Sequence, residues 1–335
     1  MPTSSPISLS EGAAPPADAH ERRERSGIVY VGAGLVFLLA VLLAALGVGD
    51  RPGRLSDWQA LVLGIVQGAT ELLPISSSGH LILVPWAADW TYLQAHESFN
   101  KTFDVALHLG TLVAVVLYFS ADIVRYVTAW VGSIRRRRIA TTDERIAWAV
   151  AAATVPAAIA GAAGESFIEE KLGDPWQIAI VLAALGVVLW LADRLPEQRR
   201  LEDLGVRNGF LIGVAQVLAL VPGVSRSGIT ITAGRWWRLD RDAAARFSFL
   251  LAIPVVLGAV IYKGLKDVVL DPLPAGWVGP FVVGTLAAAA VGLVAIDVLL
   301  GYVRRHDYSL FAVYRVVVAA TILIVIASGA RGSTF

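Results

Sequence analysis

The sequence predicts an all-α polytopic membrane protein: an inverted repeat, each half one re-entrant helical hairpin plus three transmembrane helices, with an extra N-terminal transmembrane helix. Three observations carry this. Apolar residues lie in long uncharged runs, two further apolar segments are broken near their middles by matching polar stretches, and Lys and Arg are unequally shared between alternate connections.

The 335-residue chain is 56% hydrophobic with a mean hydropathy of +0.66. Its apolar content falls in blocks rather than in the periodic stripes of a soluble core. Uncharged runs occupy 28–48, 105–121, 146–164, 175–192, 247–262, 275–296 and 316–330, most of them near the roughly 20 residues that cross the hydrocarbon. Seven spanning helices are therefore expected. The first run follows three arginines at Arg22, Arg23 and Arg25. It resembles a signal peptide, but it is too long and lacks a small-residue cleavage site, so residues 27–50 are read as a retained anchor helix. Residues 1–26 are expected as a disordered cytoplasmic N-terminus, because the Ser, Pro and Ala that dominate the first 20 supply too little bulky apolar surface to pack. The chain has no cysteine, which excludes disulfides and thiolate metal sites and leaves oxygen or imidazole as the metal ligands.

The two interrupted segments cover 58–88 and 208–234. Their breaks read Pro74-Ile75-Ser76-Ser77-Ser78-Gly79 and Pro222-Gly223-Val224-Ser225-Arg226-Ser227-Gly228. A shift of 149 positions superposes Gly64 on Gly213, Gln67 on Gln216, Ser76 on Ser225, Ser78 on Ser227 and Gly79 on Gly228. Paired interrupted segments mark internal repeats. The halves are expected at 55–193 and 206–330, each an interrupted segment followed by three spans. Three is odd, so the second half enters from the opposite side. With both interrupted segments re-entrant and the N-terminus inside, cytoplasmic connections hold 19 of the 28 cationic side chains, external ones seven, and Arg226 and Arg315 lie in the membrane. A full crossing by the first segment would place the arginines of 194–207 outside, against the positive-inside rule. The acidic stretch 165–174 is read as an external loop and Arg135 to Arg138 as a cytoplasmic one. The clustered charge argues orientation and excludes a nucleic-acid partner.

Irregular backbone at membrane depth survives only where protein or a water-filled cavity satisfies it. The breaks are therefore expected to line a cavity, and the half-helix that each opens points N–H groups and a positive dipole end into it. Both favour an anion such as phosphate. Glu71 lies one turn after Gln67 on the same face, and an intramembrane carboxylate commonly marks a site. His80 titrates near neutrality and suits acid or base work. Ser76, Ser77 and Ser78 lie between these groups, able to attack phosphorus or to bond phosphate oxygens. Arg226 offers a fixed fork of donors that matches phosphate, and Ser225, Ser227 and Thr230 flank it with hydroxyls. Asp104, His108, Asp297 and Arg315 are weaker signals that interfacial capping and snorkelling explain. Trp236 and Trp237 beside Arg235 and Arg238 read as an aromatic and basic membrane anchor.

Gln67-Gly68-Ala69-Thr70-Glu71, Ser76-Ser77-Ser78-Gly79-His80 and Pro222-Gly223-Val224-Ser225-Arg226-Ser227-Gly228-Ile229-Thr230 together resemble the undecaprenyl-diphosphate phosphatase family associated with bacitracin resistance. The resemblance runs from about Leu55 to the C-terminus and leaves the first 50 residues as an extension. It implies hydrolysis of undecaprenyl diphosphate to undecaprenyl phosphate and inorganic phosphate, which recycles a cell-wall lipid carrier. It also implies a plasma-membrane location, an active site opening to the outer side, and Mg²⁺ or Ca²⁺. The motif places Glu or Gln at position 67. With Gln67, a metal rests on Glu71, diphosphate oxygens and water.

In the expected mechanism Arg226, Ser225, Thr230 and helix N–H groups hold the diphosphate, with Gln67, Ser76, Ser78 and Ser227 as further substrate contacts. Glu71 and His80 activate the attack, with Ser77 as the nucleophile and His80 or water as alternatives. The polyprenyl lipid and the bilayer are the expected partners, and a homodimer is left open. A polyprenyl-phosphate flippase is the main rival, since broken helices meeting at the midplane are also a transporter plan. A lipid phosphatase with a histidine nucleophile shares only the Ser-Gly-His element, and a scaffold would leave Arg226 and Glu71 unexplained.

Overall fold

The computed structural model describes residues 33–44, 54–90, 92–93, 96–264 and 277–334. Its major helices are α1 (Ala33–Ala44), α2 (Asp57–Leu72), α3 (Ser77–Ala88), α4 (Glu97–Tyr118), α5 (Ser120–Arg136), α6 (Thr142–Lys171), α7 (Pro175–Asp193), α8 (Val206–Gln216), α9 (Arg226–Trp236), α10 (Arg241–Lys263), α11 (Val278–Val303) and α12 (Ser309–Ala327). Six of them, α4, α6, α7, α10, α11 and α12, are long and apolar enough to cross a membrane. The chain is a polytopic, multi-pass membrane protein. Side chains such as Leu117, Ile159, Ile180, Val313 and Ile324 stand exposed on these helices, as they must where the surrounding solvent is lipid.

Those six spans correspond to six of the seven expected runs. The seventh, 28–48, is described only at α1, which packs Ala40 and Ala44 against Leu61, Val283 and Ala287. The expectation for residues 1–26 lies outside the described residues. Boundaries move outward: α4 begins at Glu97, α10 at Arg241, and α11 ends at Val303. An uncharged run marks only the lipid-embedded stretch, while the backbone keeps its i→i−4 bonds into the polar flanks. For the same reason the expected acidic loop 165–174 is mostly helix, since α6 continues to Lys171. The α5 helix was not expected at all. It is charged and too polar to span, and it packs beside α6 through buried Tyr126 and Ser133, where Trp148 Nε1 donates to Ser133 Oγ at 2.8 Å.

The two breaks share one local geometry. Ser76 takes φ 76°, ψ 94° and its hydroxyl accepts from the Gly79 N–H. Ser225 takes φ 72°, ψ 112° and accepts from the Gly228 N–H. Left-handed backbone at a non-glycine residue is costly, and it recurs where the surroundings demand it. Here each serine reverses the chain and caps the half-helix that follows. The preceding half-helices also share a device. A Cβ on Gly64 of α2 would stand 2.4 Å from the Gly284 carbonyl of α11, and one on Gly213 of α8 would stand 2.2 Å from the Ala153 carbonyl of α6. Glycine alone permits such backbone-on-backbone approach. Thus α2 lies on α11 and α8 on α6, while α7 pairs with α12, and α4 packs on α11 and, less extensively, on α10.

Candidate active site

The breaks touch each other inside the bundle. Ser227 Oγ donates to the Leu73 carbonyl at 2.9 Å. Arg315 ties the two together: its guanidinium donates to Pro74 O at 3.3 Å, to Gly223 O and Val224 O at 3.0 Å each, and to Leu182 O at 3.1 Å. Only 1% of Arg315 is exposed. Its charge is therefore solvated by break carbonyls that would otherwise lack donors at membrane depth. The reading of Arg315 as a snorkelling residue is corrected on this point. Its sequence signal was an arginine amid an apolar run, and its partners lie 91 to 241 positions away in the chain.

Glu71, at the end of α2, is the hub. Its Oε1 accepts from Arg226 Nη2 at 2.9 Å, and its Oε2 accepts from Ser77 Oγ at 2.5 Å and from Gln67 Nε2 at 3.4 Å. His108 Nε2 stands 3.6 Å from the same Oε2, and its other nitrogen donates to the Asp104 carbonyl at 2.7 Å. His108, expected as a capping residue, is thus part of the cluster. It is also the most open member, with 30% of its side chain exposed against 6% for Glu71.

Arg226 opens α9. Besides Glu71 it donates from Nη1 to the Ser248 carbonyl at 2.8 Å, while its Nε–H is buried with no partner. Thr230 Oγ1, one turn along α9, donates to Ser248 Oγ at 2.7 Å. The sequence does not single out Ser248, because a single hydroxyl at the edge of an apolar run carries no pattern. Ser225 and Ser227 stand 3.2 Å apart by their hydroxyls, and Ser76 and Ser78 are 3.4 Å apart. Gln67, Ser77, His108 and Arg226 therefore converge on Glu71, and Arg226 and Thr230 both reach Ser248.

His80 does not join them. Nδ1–H donates to the Ser76 carbonyl at 2.7 Å, Nε2 faces the Tyr314 hydroxyl at 2.8 Å, and the two rings stack. Both nitrogens are occupied away from Glu71 and Ser77. Asp297 is elsewhere, accepting from the Tyr118 hydroxyl at 3.0 Å. Arg235 is not at the surface with Trp236: it is fully buried and donates to Asp193 and the Leu195 carbonyl, while Trp236 is 62% exposed. An arginine one residue from a helix end has reach enough to turn inward to a buried carboxylate, and its sequence neighbours do not reveal the choice.

No three His, Asp or Glu side chains gather into a metal-binding group among the described residues. Glu71 is the single carboxylate of the cluster. The Gln67 Oε1, however, is buried without a partner one turn away, and a neutral amide oxygen beside a carboxylate suits a hard divalent cation that takes its other ligands from substrate and water.

Residues 60–321 match the family model described as bacitracin resistance protein BacA. The chain is 46% identical over 268 residues to the undecaprenyl-diphosphatase of Moorella thermoacetica, covering 80% of this chain and 97% of that protein. It is 46% identical over 278 residues to that of Thermomicrobium roseum, covering 80% and 98%. With that of Gemmatimonas aurantiaca it shares 44% over 272 residues, covering 81% and 98%. Both breaks, the buried Glu71–Arg226 pair and most of the helices around them fall within the matched span, and the chain belongs to the bacitracin resistance protein BacA family.

Proposed function

We propose that this chain is an integral-membrane phosphatase that hydrolyses undecaprenyl diphosphate to undecaprenyl phosphate and inorganic phosphate. The observation that carries the reading is Arg226, a buried guanidinium with an unmatched Nε–H, held beside Glu71 and Ser77 at the start of a half-helix. A buried cationic donor without an acceptor calls for an anion. The names of the relatives point to a diphosphate as that anion, and they favour hydrolysis over the flippase alternative.

The terminal phosphoryl group is held by Arg226 and by the first N–H groups of α3 and α9, with Ser225, Ser227 and Thr230 alongside. Ser77 Oγ attacks the terminal phosphorus and passes its proton to Glu71 Oε2. The anhydride P–O bond breaks and undecaprenyl phosphate leaves. Water then attacks the phosphoserine, the Ser77 Oγ–P bond breaks, Glu71 returns to Ser77 Oγ the proton it took, and inorganic phosphate departs carrying the water's protons. Water attacking the phosphorus directly in the first step is the alternative. His108 stands on the same carboxylate oxygen and holds Glu71 ready for this exchange. His80 braces the first break against α12 through Ser76 and Tyr314 instead of serving as base. Mg²⁺ or Ca²⁺ would rest on Glu71, Gln67 Oε1 and diphosphate oxygens, and when bound it supplies charge neutralisation.

The same reading takes the two halves as an inverted repeat with re-entrant hairpins. What supports it is the shared geometry at Ser76 and Ser225 and the exchanged packing, in which α2 leans on α11 and α8 on α6. It places the N-terminus and Arg135 to Arg138 in the cytoplasm and the site on the outer side of the cell membrane. Phosphate release from isoprenyl diphosphates by the purified chain in detergent tests the activity. Steady release is expected, and a well-folded protein that releases none would return the flippase to the lead.

A further inference from the structure

The α5 helix is not used by the proposed reaction, and it has three faces. Tyr126 and Ser133 are buried against the bundle. Val124, Val127, Val131 and Ile134, spaced for one flank of a helix, are 67%, 53%, 37% and 47% exposed. On the other side of the buried face stand Arg125 and Arg136, both exposed. A helix that packs one face on protein, offers a second apolar face outward and keeps a third polar is built to lie in the plane of a membrane interface.

Its C-terminal end then presents Arg135, Arg136, Arg137 and Arg138, all exposed. Arg136 pairs with the buried Glu144, whereas Arg135, Arg137 and Arg138 have no acidic partner among the described residues. The turn that displays them is closed by hydrogen bonds on both sides. Arg137 takes φ 53° and caps α5, its N–H donating to Ile134 O at 3.1 Å, with Arg138 N–H donating to Ser133 O at 3.1 Å. Glu144 fastens the far side by accepting from Ala140 N and Thr141 N at 2.5 and 3.2 Å. Adjacent cations repel one another, and here an ordered turn holds them together without acids nearby. What such a cluster lacks is an anion, and the apolar flank beside it places that anion at lipid headgroup level.

We propose that Arg135, Arg137 and Arg138, with the apolar flank of α5, form a binding site for the headgroup of an anionic phospholipid. The diphosphate site is separate from it, and the inference does not rest on the proposed reaction. Nor does it depend on which leaflet α5 occupies.

The test is retention of phosphatidylglycerol against phosphatidylcholine by the delipidated full-length chain in detergent, read by native mass spectrometry across a salt series. Wild type should prefer phosphatidylglycerol and lose that preference as salt rises. The variant R135Q/R137Q/R138Q should bind it more weakly by on the order of 10²-fold, from about fivefold per cationic side chain. The corresponding lysine variant should keep most of the affinity, since headgroup attraction here is chiefly charge. R200Q/R207Q/R305Q removes three exposed arginines elsewhere and should have little effect. Equal retention by wild type and the first variant, or an equal loss in the R200Q/R207Q/R305Q control, would overturn the site. So would displacement of the lipid by inorganic phosphate at matched concentration, which would make the turn a general anion site.

Discussion

Arg226 gives one nitrogen to Glu71 and another to the Ser248 carbonyl, and keeps its Nε–H buried and unmatched. An unsatisfied buried donor costs about 1–3 kcal/mol, a cost that a bound phosphoryl oxygen would remove. Arg226→Lys keeps the charge but discards the planar fork, and a loss of about 10²–10³ in phosphate release is expected, by analogy with removal of one preorganised oxyanion donor. A lysine variant within a fewfold of wild type would mean that Arg226 only balances Glu71. Glu71→Gln should abolish most turnover, because Ser77 loses its proton acceptor, while Gln67→Glu should keep substantial activity. Equal tolerance of both, in folded protein, would make Glu71 structural. Glu71, Arg226 and Ser77 were legible in the sequence because ionisable and hydroxyl groups stand out in apolar text. His108, Ser248 and Arg315 were not, because their significance lies in partners far away in the chain.

At the scale of elements, the half-helices are held by close backbone contact more than by side-chain bulk. Gly213→Ala would put a methyl group 2.2 Å from the Ala153 carbonyl, forcing α8 off α6 at a cost of about 1–3 kcal/mol. Gly258→Ala on α10 meets nothing within 4 Å and should be neutral or slightly stabilising, since alanine is the better helix former. Thermal unfolding in detergent checks the pair, and the same Tm for both variants would mean that the α8–α6 approach is loose. The long spans were visible as uncharged runs, and the breaks as proline and serine punctuation. The α5 helix was hidden because its arginines and its threefold division of faces defeat a search for apolar blocks, and the end of α6 was hidden because helix continues where apolar text stops.

For the whole molecule, the exchange of partners makes topology the decisive quantity. If α2 of one half leans on α11 of the other while α8 leans on α6, two halves of opposite orientation interlock, and neither is expected to be stable alone. Three spans per half, with both interrupted segments re-entrant, then set the side of every connection. Arg137 is expected inside and Glu169, near the end of α6, outside. The charge asymmetry of the connections gives the sign. The absence of cysteine makes the measurement clean: single cysteines at Arg137 and at Glu169 are exposed to a membrane-impermeant thiol reagent on intact cells, then again after permeabilisation. Glu169→Cys should label in both states and Arg137→Cys only in the second. If Arg137→Cys labels on intact cells and Glu169→Cys does not, the inverted-repeat topology fails, since with the N-terminus inside that pattern requires the first interrupted segment to cross fully. If both label on intact cells, the α6 helix between them does not cross the membrane, and the count of three spans in the first half fails.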